Sequence, residues 1–98
     1  MEQKLIDNQE KKRVELHLGA DIAFIEYIRT ADTIAYTHTE VPPALSGQGI
    51  GSSLAKLALT FAAENKLKVK PYCPFIKAYI DRHPAFQANS LMHSKKQS

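Results

Sequence analysis

The chain is short of two residues on which much small-protein chemistry depends: it has one cysteine and four glycines. A lone Cys73 closes no disulfide within the chain, so a reducing compartment is expected. With histidines scattered at positions 17, 38, 83 and 93, it offers no metal-ligand spacing. No apolar run nears the roughly 20 residues that cross a bilayer, and the opening MEQKLIDNQEKKR has no apolar signal-peptide core. These absences predict a cytoplasmic protein with no membrane segment. Charge of one sign is also scarce: 13 Lys and Arg against 10 Asp and Glu leave a net +3. The dense basic stripe of a nucleic-acid binder is missing, and Lys56, Lys66, Lys68 and Lys70 are read as solvated side chains. An oligonucleotide adaptor built on them is the weakest of three functional readings.

What remains is ordinary for one globular domain, with 44% hydrophobic and 23% charged residues in 98. Residues 4–7 and 13–18 alternate apolar and polar side chains. Val14, Leu16 and Leu18 share one face and Arg13, Glu15 and His17 the other, so a hairpin is expected. Residues 22–29 and 33–41 are rich in β-branched and aromatic residues, and four strands in a row imply an antiparallel meander. Pro42 and Pro43 end the fourth, since proline gives no N–H to a ladder. From Ser52 onward Leu54, Leu57, Ala58, Phe61 and Ala62 take helical spacing, with Asn65 as the stop. Residues 67–71 read as a fifth strand and 74–82 as a second helix opened by Pro74. The fold class is therefore α+β, a mixed sheet in the order β-β-β-β-α-β-α. The crossover through the long helix makes the fourth and fifth strands parallel. One domain over residues 1–89 is expected, followed by a loose polar tail over 90–98.

Three of the four glycines fall in SGQGIGSS, residues 46–53, at the mouth of the long helix. A helix start carries unpaired N–H groups and a partial positive charge. Glycine lets a ligand approach the backbone closely, so the amides from Gln48 to Ser52 suit a phosphate or pyrophosphate. The P-loop pattern fails for want of a lysine after the last glycine. The dinucleotide pattern fails on its spacing, GxGxG instead of GxGxxG, and on its place after four strands. A glycine-capped loop with no ligand is the remaining alternative.

The run Ser46-Gly47-Gln48-Gly49-Ile50-Gly51 resembles the acetyl-CoA signature of GNAT-type N-acetyltransferases, [QR]-x-x-G-x-[GA], with Ser46 in the leading place. Together with HTEVPPALSGQGIGSSL and the downstream KVKPYCPFIKAYIDRHPAF, the likeness is to the minimal GNAT-like branch and spans about residues 13–86. It implies an N-acetyltransferase, or a CoA- or acyl-CoA-binding module without catalysis. It further implies fourth and fifth strands that splay for CoA. Thr39, Glu40 and Val41 would hold the pantetheine and acetyl end. Gln48, Gly49, Ile50, Gly51, Ser52 and Ser53 would hold the pyrophosphate.

Four side chains are candidates for proton or nucleophile work. Glu40 is a proton acceptor or an exposed strand-end glutamate, and His38, two residues away on the same face, a relay or a sheet histidine. Cys73, with Pro74 after it, precedes a helix start, where thiolate character is favoured. By the resemblance it is an acetyl-accepting nucleophile, or else it only lines the cofactor site. Tyr79 resembles the tyrosine that protonates the leaving CoA thiolate, or is a core aromatic. The helices that build the acceptor site in larger relatives are missing after the first strand. An open acceptor side, suited to a protein lysine or N-terminus, is implied. The sequence specifies neither the acceptor nor the oligomeric state.

Overall fold

The computed structural model describes residues 4–45 and 47–93. Four strands follow one another, β1 (Leu5–Asn8), β2 (Arg13–Leu18), β3 (Asp21–Arg29) and β4 (Thr33–Glu40). A 3-10 turn (Pro43–Leu45), helix α1 (Ile50–Glu64), strand β5 (Lys68–Pro71), helix α2 (Pro74–Arg82) and a 3-10 stretch (Pro84–Asn89) complete the chain. The strands lie in sequence order in one sheet. The pairs β1/β2, β2/β3 and β3/β4 are antiparallel and β4/β5 is parallel. The expected α+β class, order and crossover are all present.

The register explains the burial. Val14, Leu16, Ala23, Ile25, Tyr27, Ile34, Tyr36 and Val69 fall on one face and are buried. Helix α1 covers them, and the Tyr36 hydroxyl donates to the Ala58 carbonyl at 2.8 Å. Of the expected helical stripe, Leu54, Ala58 and Ala62 are fully buried, while Leu57 and Phe61 pack at the core's margin. Ile50, Ala55 and Leu59 complete the buried face, which is turned slightly from the one the apolar pattern marks out. The helix ends in a Schellman motif: Leu67 N–H reaches Ala62 C=O at 2.8 Å and Lys66 N–H reaches Ala63 C=O at 3.1 Å. Lys66 takes the left-handed conformation there, φ +59°.

Two features depart from expectation. Glu15, on the polar face of β2, is only 3% exposed. Arg13 (2.6 Å), His17 (2.7 Å) and Asn8 (3.0 Å) surround its carboxylate, and the Arg13 guanidinium lies over the Phe24 ring. Burial alone would raise this carboxyl, but the hydrogen bonds from His17, Arg13 and Asn8 prevail and hold it at about 2. The second departure is the tail. Its first residues are packed: Ser90 is buried and bridges Val69, and Leu91 N–H donates to Val69 C=O at 2.8 Å. Asn89 fastens the same segment through Leu67 C=O at 2.8 Å. This stretch meets hydrogen-bonding groups on the outer edge of β5 that would otherwise stand unpaired. Residues 94–98 of the expected tail lie outside the described residues.

Candidate functional site

The site forms where β4 outruns β5. Pairing begins at Thr33 with Lys68 and ends at Tyr36 with Pro71. Proline brings no N–H, and a tight turn, Tyr72 N–H to Lys70 C=O at 3.0 Å, carries the chain away. Residues 37–40 of β4 thus keep β3 on one side and, among the described residues, have no strand on the other. The expected splay of β4 and β5 is this gap.

A bulge decides which side chains enter it. Phe24, Ile25 and Glu26 pair with Glu40, Thr39 and His38, but Tyr27 pairs with Tyr36, so Thr37 is the extra residue. An extra residue bends its strand and reverses the alternation beyond it. In an unbroken strand His38 would share the face of Tyr36; here Thr39 does. The Thr39 hydroxyl lies 3.2 Å from the Cys73 sulfur. Cys73 is fixed by its backbone: its N–H donates to Tyr36 C=O at 2.9 Å and its C=O accepts Lys77 N–H at 3.0 Å. It is the N-cap of α2, extended in backbone, buried, and followed by Pro74 in the first turn.

His38 and Glu40 are brought to each other, at 2.9 Å, with each side chain about half exposed. The register sets them on the sheet face opposite Thr39, turned away from the sulfur. Tyr79 is buried in α2 and stacked on His83, ring centroids 3.9 Å apart. Thus Thr39 and Cys73 meet, whereas His38, Glu40 and Tyr79 do not join them in a hydrogen-bonded cluster.

The glycine turn divides into two kinds of position. Gly47 (φ +81°) and Gly49 (φ +73°) are left-handed, and nothing stands within 4 Å of where a Cβ would lie. Gly49 is the N-cap of α1 with no side-chain cap, and the amides of Gly51 and Ser52 have no backbone partner among the described residues. Gly51 has another duty. A Cβ there would sit 2.9 Å from the tip of the Phe75 ring, so this glycine lets the starts of α1 and α2 touch. The Gln48 side-chain amide is turned back and donates to Ala44 C=O at 3.2 Å. Ser46, the leading position of the signature, lies outside the described residues.

Sequence reasoning missed the Thr39–Cys73 contact and the role of Phe75. The first depends on the bulge, which no glycine or proline in TIAYTHTE announces. The second depends on two helix starts meeting in space.

A family model described as GCN5-related N-acetyl-transferase matches residues 13–89. The chain belongs to that family. Protein NATD1 of Xenopus tropicalis is 42% identical over 52 residues, covering 53% of this chain and 48% of that protein. Protein NATD1 of Homo sapiens is 47% identical over 47 residues, covering 48% of this chain and 42% of that protein. Protein NATD1 of Danio rerio is 32% identical over 84 residues, covering 81% and 76%. Against the frog and human relatives, the match thus spans less than half of the relative's length. The mixed sheet, with β4 and β5 parallel and the other pairs antiparallel, is consistent with that family's α+β fold. No helix among the described residues is long and apolar enough to cross a membrane.

Proposed function

We propose that the chain is an acetyl-CoA-dependent N-acetyltransferase that acts on an amine, with a protein lysine or N-terminus as the acceptor class. The observation that carries this reading is the Thr39–Cys73 contact at the point where β4 and β5 part. The residues present fit the cofactor. Open space beside Gly47 and Gly49 and unpaired amides at Gly51 and Ser52 suit a pyrophosphate, with Gln48, Ile50 and Ser53 in the same turn. The end of β4 at Thr39 and Glu40, beyond the reach of β5, and Val41 just after it suit the amides of a pantetheine arm.

Acetyl-CoA supplies an activated acyl group: the acceptor nitrogen bonds to the acetyl carbon as the carbon–sulfur bond breaks. The chain's part is to position that group and to manage protons. Backbone N–H groups of β4 polarise the carbonyl, as an oxyanion hole does. Cys73 touches the acyl group, as nucleophile or as a lining side chain, and the Thr39 hydroxyl orients its sulfur. Because the His38–Glu40 pair lies on the opposite face of the sheet, solvent takes the acceptor's proton, and Tyr79 returns one to the departing thiolate.

The test is an NMR titration with acetyl-CoA, in which shifts concentrated on residues 39–41 and 48–53 are expected. Shifts elsewhere, or none at millimolar ligand, would overturn the reading. Intact mass after incubation then separates an acetylated Cys73 from a spectator, with Cys73→Ala as the control. A second reading, a CoA-binding module without catalysis, is favoured by the His38–Glu40 pair facing away from Cys73. Sustained CoA release with a lysine peptide, above the uncatalysed background, excludes it.

A further inference from the structure

A groove of about 390 Å³, lined by Gln9, Lys12, Tyr27 and Arg29, lies outside the site just described. It belongs to the other end of the sheet: Tyr27 pairs with Tyr36 and Arg29 with Ile34, in the half of β4 that β5 still covers. Its wall is the turn between β1 and β2, which is held in an unusual way. Lys12 has φ +56°, a left-handed conformation that a side-chain-bearing residue adopts at a cost of roughly 1–2 kcal/mol. The surrounding structure enforces it, because the Lys12 carbonyl accepts Tyr27 N–H at 2.9 Å and so ties the turn to β3. The residue held in this conformation is one that lines the groove.

The polar groups at the groove are mostly donors. Lys12 and Arg29 bring two cations, and Gln9 an amide. Asp7 is the carboxylate beside them, and its oxygens are already engaged. Tyr27 O–H donates to Oδ1 at 2.6 Å, the Gln9 amide donates to Oδ2 at 3.3 Å, and Arg29 Nη1 stands 3.9 Å from Oδ2. Burial, with help from Asp7, pushes the Tyr27 phenol up to about 12, so it stays a donor across the neutral range. Lys12 has no carboxylate partner among the described residues. Among the described residues, then, Asp7 stands within ion-pair reach of Arg29, and Lys12 is left without a carboxylate partner.

We propose that this groove binds a small dianion of carboxylate or phosphate type, held between the Lys12 ammonium and the Arg29 guanidinium. A planar guanidinium suits either oxyanion, since it offers two parallel N–H donors. Lysine supplies the second charge as a point donor. The site stands apart from the glycine turn, so it does not depend on the acetyl-CoA reading.

The experiment is a pair of NMR titrations of the full chain, one with inorganic phosphate and one with malonate, at constant ionic strength so that screening does not change. Saturable shifts at Gln9, Lys12, Tyr27 and Arg29 are expected. Saturation by phosphate alone points to a phosphate ester as the natural ligand, and saturation by malonate alone to a dicarboxylate. Lys12→Gly keeps the left-handed turn while removing the ammonium, and it should weaken binding by about tenfold. Arg29→Gln should do the same without touching the turn. Shifts that appear only around residues 49–53, shifts that never saturate, or unchanged affinity in both variants would overturn the proposal.

Discussion

The two halves of β4 differ from each other in both burial and pairing. Ile34, Ala35 and Tyr36, which β5 pairs, are 0%, 7% and 0% exposed. Thr37, His38 and Glu40, only a few residues on, are exposed, and their strand has a bare margin. Two small devices make the change: Pro71, which ends β5, and the extra residue Thr37, which turns the alternation over. One half of the strand holds the core together, and the other is shaped to meet something. The division allows chemistry to be placed on a strand end without weakening the sheet behind it.

That contrast can be tested by substitution. The largest effect is expected in the covered half: Ile34→Ala should cost about 3 kcal/mol in urea denaturation, as deletion of a fully buried aliphatic chain does. His38→Ala, in the bare half, should change stability by less than about 0.5 kcal/mol. Equal costs would erase the distinction.

The next effect concerns the polar face that β4 shares with β2. Glu15 is held at about 2, below its ordinary value of 4.5, so its contribution is complete above that value and is lost as pH falls towards 2. Stability measured across pH 6 to 2 should decline through that window, and Glu15→Gln should flatten the decline while costing about 2 kcal/mol at neutral pH.

A smaller effect separates the two kinds of glycine. Gly49→Ala places a Cβ on a left-handed backbone and should cost about 1 kcal/mol. In Gly51→Ala the gain in helix propensity, about 1 kcal/mol, is set against displacement of the partly exposed Phe75 ring. Near-neutral stability with shifted Phe75 ring resonances is expected. The smallest change in stability, under about 1 kcal/mol, is expected for Thr39→Val. Its acetyl-transfer turnover should nonetheless fall, because the sulfur loses its one side-chain partner. Unaltered turnover would remove Thr39 from the proposed machinery.

The parts of the fold that repeat regularly were legible beforehand. Val14 and Leu16 alternate with charged residues, and Leu54, Ala58 and Ala62 recur at helical spacing; both periods follow directly from backbone geometry. The crossover followed from one helix set between two strands. The features that decide the site do not repeat. A bulge at Thr37 leaves the composition of TIAYTHTE unchanged, and the burial of Glu15 comes from three partners converging on it. Gly51 looked like its two glycine neighbours in sequence and was separated from them only by Phe75, 24 positions later. The candidate residues His38 and Glu40 were correctly placed on one face, but which face depended on the bulge.

The bridge between Ser90 and Val69 bears on how the sheet meets other molecules. Any sheet that is not closed into a barrel presents two margins where foreign strands can join. Here the β5 margin is occupied by the molecule's own following segment, through Leu91 and Asn89 as well as Ser90. The other margin is β1, only four residues long. Thus one flank of the sheet is guarded by self-cover and the other by brevity, and a strand-adding partner would find its opening at β1.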